Sequence, residues 1–134
     1  SLFSILATAN AATTIVTVSE QQYTVTYESI SYVGNESQFQ STQWWLNPVT
    51  AQSFAQASSI NGINYGYEKS TGFGLSYLYS IRSNGVGGSL AVSADTADAR
   101  NYAISAVAVP APVPVLGILP ILGFLKRMRM RQKA

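Results

Sequence analysis

Asp95 and Asp98 stand three residues apart, the spacing at which two carboxylates can share acid and base work or hold a calcium ion. A calcium loop needs several oxygen ligands at closer spacing, with a glycine for its sharp turn, and neither is present. The residue types that usually complete a catalytic set are missing. The 134 residues contain no histidine and no cysteine, which removes the usual neutral-pH base, the thiol nucleophile, disulfides and thiolate metal sites. A hydrolytic serine would have only Lys69 as a base, and no Ser-x-x-Lys pattern surrounds it. Gly85-Val86-Gly87-Gly88 is glycine-rich but lacks the Lys-Ser/Thr of a phosphate loop, so a hairpin is the simpler account. The sequence therefore predicts a non-enzymatic protein with no catalytic residues, no metal site and no cofactor.

The aromatic residues have more reach. Trp44-Trp45 are adjacent, flanked by Gln43 and Asn47, and Tyr65-Gly66-Tyr67 follows. Flat aromatic faces beside amides can stack on sugar rings, which makes Trp44, Trp45, Tyr65 and Tyr67 the candidate ligand-binding residues. Adjacent tryptophans on a turn do not both point inward easily. One is expected to pack beneath the following helix, with burial as the pair's main contribution.

The C-terminal stretch has three parts in fixed order: Val109-Pro110-Ala111-Pro112, an apolar run from Val113 to Leu125, and a basic end from Lys126 to Lys133. A spanning helix needs about 20 apolar residues, and this run is shorter and interrupted by Pro114 and Pro120. Pro110, Pro112 and Pro114 favour an extended approach that an enzyme gripping unfolded backbone can use. The layout resembles a PEP-CTERM protein-sorting signal in its cyanobacterial form. That resemblance implies recognition by an exosortase-type transpeptidase or protease, residence in the inner membrane as a precursor, and delivery to the cell envelope or outside the cell. The residues carrying it are Val109, Pro110, Ala111 and Pro112. Behind them come Leu116, Gly117, Leu119, Leu122 and Phe124 in the membrane segment, and Lys126, Arg127, Arg129 and Arg131 in the basic end.

The opening residues agree with export. Ser1 to Ala12 reads as the remnant of a secretory signal peptide, with Ala9 and Ala11 in the small-residue pattern of a cleavage site. Charge divides in the same way. The body has three basic residues (Lys69, Arg82, Arg100) against six acidic ones and stands at −3, and five positive charges beyond Leu125 bring the chain to +2. No basic face is left for nucleic acid, and the basic end is explained by membrane topology. Two functions follow: an exported envelope or matrix protein, or a carbohydrate-binding module for exopolysaccharide.

Residues 13–108 must supply the body that carries these features, a length that allows a modest core. Thr13 to Val18 is β-branched and reads as a strand. Tyr23, Val25 and Tyr27 alternate with polar residues in a second, and Ile30 and Tyr32 fall on the opposite phase, which predicts a bulge near Glu28-Ser29. Asn47 and Pro48 open a helix, with Leu46 positioned to staple onto Ala51. Ala51, Phe54, Ala55 and Ser58 share its face, and Asn61-Gly62 is expected to end it. Phe73, Leu75, Tyr77, Tyr79 and Ile81 alternate as a strand that turns at Ser83-Asn84-Gly85 into a short return over Ser89 to Ser93. Arg100 to Ala108 makes the last strand, with Tyr102, Ile104 and Ala106 on one face. The Trp-Trp block, the Ser-Phe-Ala helix and Tyr102-Ala103-Ile104 running into the Pro motif resemble a group of short cyanobacterial PEP-CTERM proteins of unknown function. The expected fold class is α+β: an antiparallel sheet of about five strands with one helix, plus a C-terminal hydrophobic sorting tail.

Overall fold

A computed structural model describes residues 11–111. The strands are β1 (Ala12–Val18), β2 (Gln21–Ile30), β3 (Asn61–Gly72), β4 (Leu75–Asn84), β5 (Ser89–Asp95) and β6 (Arg100–Ala108). A single-turn helix, α1 (Glu36–Gln40), and a longer helix, α2 (Pro48–Ala57), lie between β2 and β3. The strands form one sheet in the order β1-β2-β6-β3-β4-β5. The class is α+β as expected, with three corrections, the first being the short helix α1 beside the one helix expected. The sheet has six strands, the additional one being β3, and it is mixed. Four pairings are antiparallel, while β3 and β6 run parallel through one register pair, Asn64 with Tyr102.

That seam joins a hairpin, β1–β2, to a meander, β3–β4–β5, with β6 inserted between them. A buried amide reinforces it. Asn64 donates through Nδ2 to the Asn101 carbonyl (3.0 Å) and accepts at Oδ1 from Arg82 Nε (3.1 Å). A buried polar side chain stays in place because its hydrogen bonds are made. Ser83 does the same across β3 and β4, accepting from Ile63 N–H (3.1 Å) and donating to the Ile60 carbonyl (2.6 Å).

Two apolar clusters lie on opposite faces of the sheet, since the neighbours Tyr102 and Ala103 belong to different ones. On the first face α2 sets Ala51, Phe54 and Ala55 against Val16, Val25 and Ile63. The predicted helical face is correct, and Ser58 on it is buried too. The Asn47 cap is also found, its Oδ1 accepting from Thr50 N–H (3.2 Å), with Pro48 at the first position. Leu46 makes no staple: it is 67% exposed with φ +59°. The helix stops before Asn61-Gly62, because Ser58 turns extended and its hydroxyl donates to the Phe54 carbonyl.

On the second face Phe39 of α1 meets Tyr32, Leu78 and Tyr102. Gly66 makes room for it, since a Cβ there would stand 3.0 Å from Leu78 Cδ2 and 3.4 Å from Phe39 Cδ1. The bulge expected in β2 near Glu28-Ser29 is not there: Ile30 faces the second cluster by plain alternation from Tyr27, and the register shift between Thr26 and Tyr27 comes from an extra residue on β6. Across from it Ile104 is the unpaired residue, so Tyr102 and Ala106 face opposite sides instead of sharing one.

Two hairpin turns contain two residues each, both with positive φ: Ser19-Glu20 (50° and 68°) and Phe73-Gly74 (52° and 76°). This mirror-image turn matches the right-handed twist of its strands. It places Phe73 at a fully exposed tip, outside the strand predicted to begin there.

Candidate functional site

The chain between the two helices carries the tryptophans and is wound as successive tight turns. Thr42 Oγ1 donates to the Phe39 carbonyl (2.8 Å), Trp45 N–H to Thr42 O (3.2 Å) and Asn47 N–H to Trp44 O (2.9 Å). Leu46 N–H reaches out of this coil to the Tyr67 carbonyl (2.6 Å) and ties it to β3. The two tryptophans then part. Trp44 enters the first cluster, edge-on to Tyr65 (centroids 5.0 Å, 79°) and tilted against Phe54 (5.1 Å). Trp45 joins the second, stacked on Tyr32 (5.8 Å, 8°). Trp44 and Tyr65 are sealed from solvent, while Trp45 and Tyr67 are half-buried. The four sequence-predicted residues therefore form no common face.

The buried hydroxyls of Ser58 and Tyr65 are paired. Ser58 gives its one proton to the Phe54 carbonyl (3.0 Å), so the bond between the Ser58 and Tyr65 hydroxyls has Tyr65 as donor. Burial pushes the Tyr65 hydroxyl up to about 12, which keeps it protonated at any physiological pH. Burial also raises Tyr67, with Glu68 and Tyr79 adding to the effect. The Trp44 indole N–H has no acceptor among the described residues.

The candidates for chemistry resolve into turn structure. Asp95 Oδ1 accepts from Ala97 N–H (2.8 Å), and Asp98 N–H donates to the Asp95 carbonyl (3.0 Å), so the Asp95 carboxylate holds an exposed turn that Asp98 joins through its backbone. Both residues are exposed, and no metal-holding cluster occurs among the described residues. In the glycine-rich loop Asn84 Oδ1 accepts from both Val86 N–H (2.9 Å) and Gly88 N–H (2.8 Å). A phosphate would need those amides, and the asparagine already occupies them. Lys69 is exposed on β3.

The start of the Pro motif, the expected sorting signal, lies directly after β6. After β6, Val109 N–H donates to the Gln22 carbonyl (2.9 Å), and Gln21 Nε2 donates to the Val109 carbonyl (3.0 Å). Pro110 and Ala111 follow, both exposed, beside a shallow cleft lined by Thr17, Glu20, Gln21, Gln22 and Pro110. Ala11 is half-buried ahead of β1. Ala9, Pro112, the expected membrane segment and the basic end lie outside the described residues. Among the described residues no helix is long and apolar enough to cross a membrane.

Sequence reasoning missed Tyr32, Phe39 and Ser58 as partners of these aromatics. The period-two run Ile63, Tyr65, Tyr67 was the available signal for β3. No family model, curated protein or solved structure matches this chain.

Proposed function

We propose that this is an exported, non-enzymatic protein of the cell envelope or extracellular matrix, with a C-terminal sorting signal of the PEP-CTERM kind. One observation carries the reading: the Pro motif begins just after β6, the last strand among the described residues. Val109 is latched by Gln21 and Gln22, whereas Pro110 and Ala111 are exposed. Among the described residues, all six strands and both apolar clusters precede that point. A protease of the exosortase class can therefore take the tail without dismantling the body. The body then acts as a scaffold. The burial of Trp44 and Tyr65 supports this over a sugar-binding platform, since two of the four candidate faces are out of reach.

The test uses charge. The precursor stands at +2 with five cations beyond Leu125, and the trimmed body stands at −3. In the native host the exported form should bind an anion exchanger at neutral pH, and it should lose the lipid attraction worth about 1 kcal/mol per basic residue. Pro110→Ala combined with Pro112→Ala should hold the precursor in the inner-membrane fraction. If the double variant is exported at the normal rate, the sorting assignment fails.

A further inference from the structure

β1 is the terminal strand of the sheet, paired on one side with β2 from Ala12 to Val18 and with no strand on its other side among the described residues. A free edge is a template for another chain, and proteins blunt such edges with charge, proline, bulges or short length. β1 carries none of these devices. Its sequence, Ala-Thr-Thr-Ile-Val-Thr-Val, has no charged residue, proline or glycine, and its register with β2 is unbroken. Six of the seven residues are β-branched, the composition that best fits a pleated strand. The opposite edge, β5, is a weaker template, with Val92 as its one β-branched residue and Asp95 at its end.

The side chains of β1 divide by face. Val16 points to the core and is buried, with Thr14 on the same side. Thr13, Ile15 and Thr17 are exposed on the other side, where their neighbours on β2 are Thr26, Thr24 and Gln22. Ile15 is 52% exposed in the middle of that uncharged row.

We infer that β1 is a self-association edge, onto which a second copy of this chain adds its own β1 antiparallel. Full overlap of the strand with itself fixes the register, because Ile15 is its central residue. The two-fold axis then passes at Ile15. Thr13 of one copy faces Thr17 of the other, and Thr14 faces Val16. A two-fold pairing of this kind uses the same patch on both copies and closes as a dimer. Each exposed Ile15 covers the other, and the uncharged row places no like charges opposite one another. The inference is independent of the sorting assignment, because β1 lies in the body and its pairing needs no processing.

The absence of native cysteine makes the test direct. Single-cysteine variants of the full chain are oxidised in mild detergent, and covalent dimer is read on a non-reducing gel. Residues facing each other across an antiparallel pair bring their Cβ atoms close to the separation a disulfide requires. Ile15→Cys should cross-link to itself. Thr13→Cys and Thr17→Cys should each stay monomeric alone and cross-link when mixed. Leu90→Cys, exposed on β5, should stay monomeric. Ile15→Lys should weaken self-association in sedimentation by about tenfold or more, since it opposes two like charges on the axis. Failure of Ile15→Cys to cross-link would overturn the inference. So would Thr13→Cys cross-linking alone as well as in the mixture, or Leu90→Cys cross-linking to the same extent.

Discussion

Replacing Trp44 with alanine separates a structural tryptophan from a ligand-binding one. Its ring is fully buried, within 5.0 Å of Tyr65 and 5.1 Å of Phe54, so truncation empties the centre of the first cluster. Losing such a side chain costs about 3–5 kcal/mol through transfer and cavity together. Trp45 is half-buried and stacked chiefly on Tyr32. Its aromatic pair is worth about 0.5–1.5 kcal/mol beyond area, so Trp45→Ala should cost about 1–2 kcal/mol. Trp44→Phe keeps both ring contacts and removes an indole N–H that has no acceptor among the described residues. A buried unpaired donor costs about 1–3 kcal/mol, and relief of that penalty should hold the net loss to about 2 kcal/mol or less. The assay is urea unfolding of residues 12–111 followed by far-ultraviolet circular dichroism. With a slope of about 1.5 kcal/mol/M, a loss of about 4 kcal/mol lowers the midpoint by about 2.7 M. The reasoning is refuted if both alanine variants lose equal stability, or if Trp44→Ala loses less than about 1 kcal/mol.

Three further outcomes follow from the same packing. Tyr65 has its folded pKa raised to about 12 from 10.0, so its contribution is complete below pH 10 and is lost as pH rises toward 12. Two units correspond to roughly 2–3 kcal/mol, and Tyr65→Phe should flatten the alkaline limb of a stability–pH curve. Phe73 sits at φ +52° with its side chain fully exposed, so Phe73→Gly should raise stability by about 0.5–1 kcal/mol, read as an increase in Tm. Gly66→Ala forces a methyl to 3.0 Å from Leu78 Cδ2, and overpacking against Leu78 and Phe39 should cost about 1–3 kcal/mol by urea titration.

The sequence was legible where a local rule and the tertiary structure agreed. β6 was expected over Arg100–Ala108 and occupies those residues, because the stretch is strand-like and bounded by polar residues and proline. The Asn47 cap and the buried face of α2 were likewise encoded within a few residues. β3 was hidden by punctuation. Asn61-Gly62 reads as a helix stop and Gly66 as a breaker, yet Gly66 is a seat for Phe39, a partner 27 positions earlier that no local pattern reveals. Phe73 fitted an alternation of five residues, but a two-residue turn with positive φ took it out of β4. The parallel β3–β6 seam lies beyond local pattern altogether, since neither strand carries a mark of its partner. At the candidate site the division of Trp44 from Trp45 was readable from adjacency. Their partners were not, because Tyr32, Phe54 and Tyr65 come from three different elements.

The central claim is that the tail is a removable address attached at Val109. The intact mass of the protein recovered from the envelope or the medium of its native host tests this directly. The account predicts a species ending within or close to Val109-Pro110-Ala111-Pro112, without Lys126, Arg127, Arg129 and Arg131. A mass that still includes the apolar run and those four basic residues would contradict it.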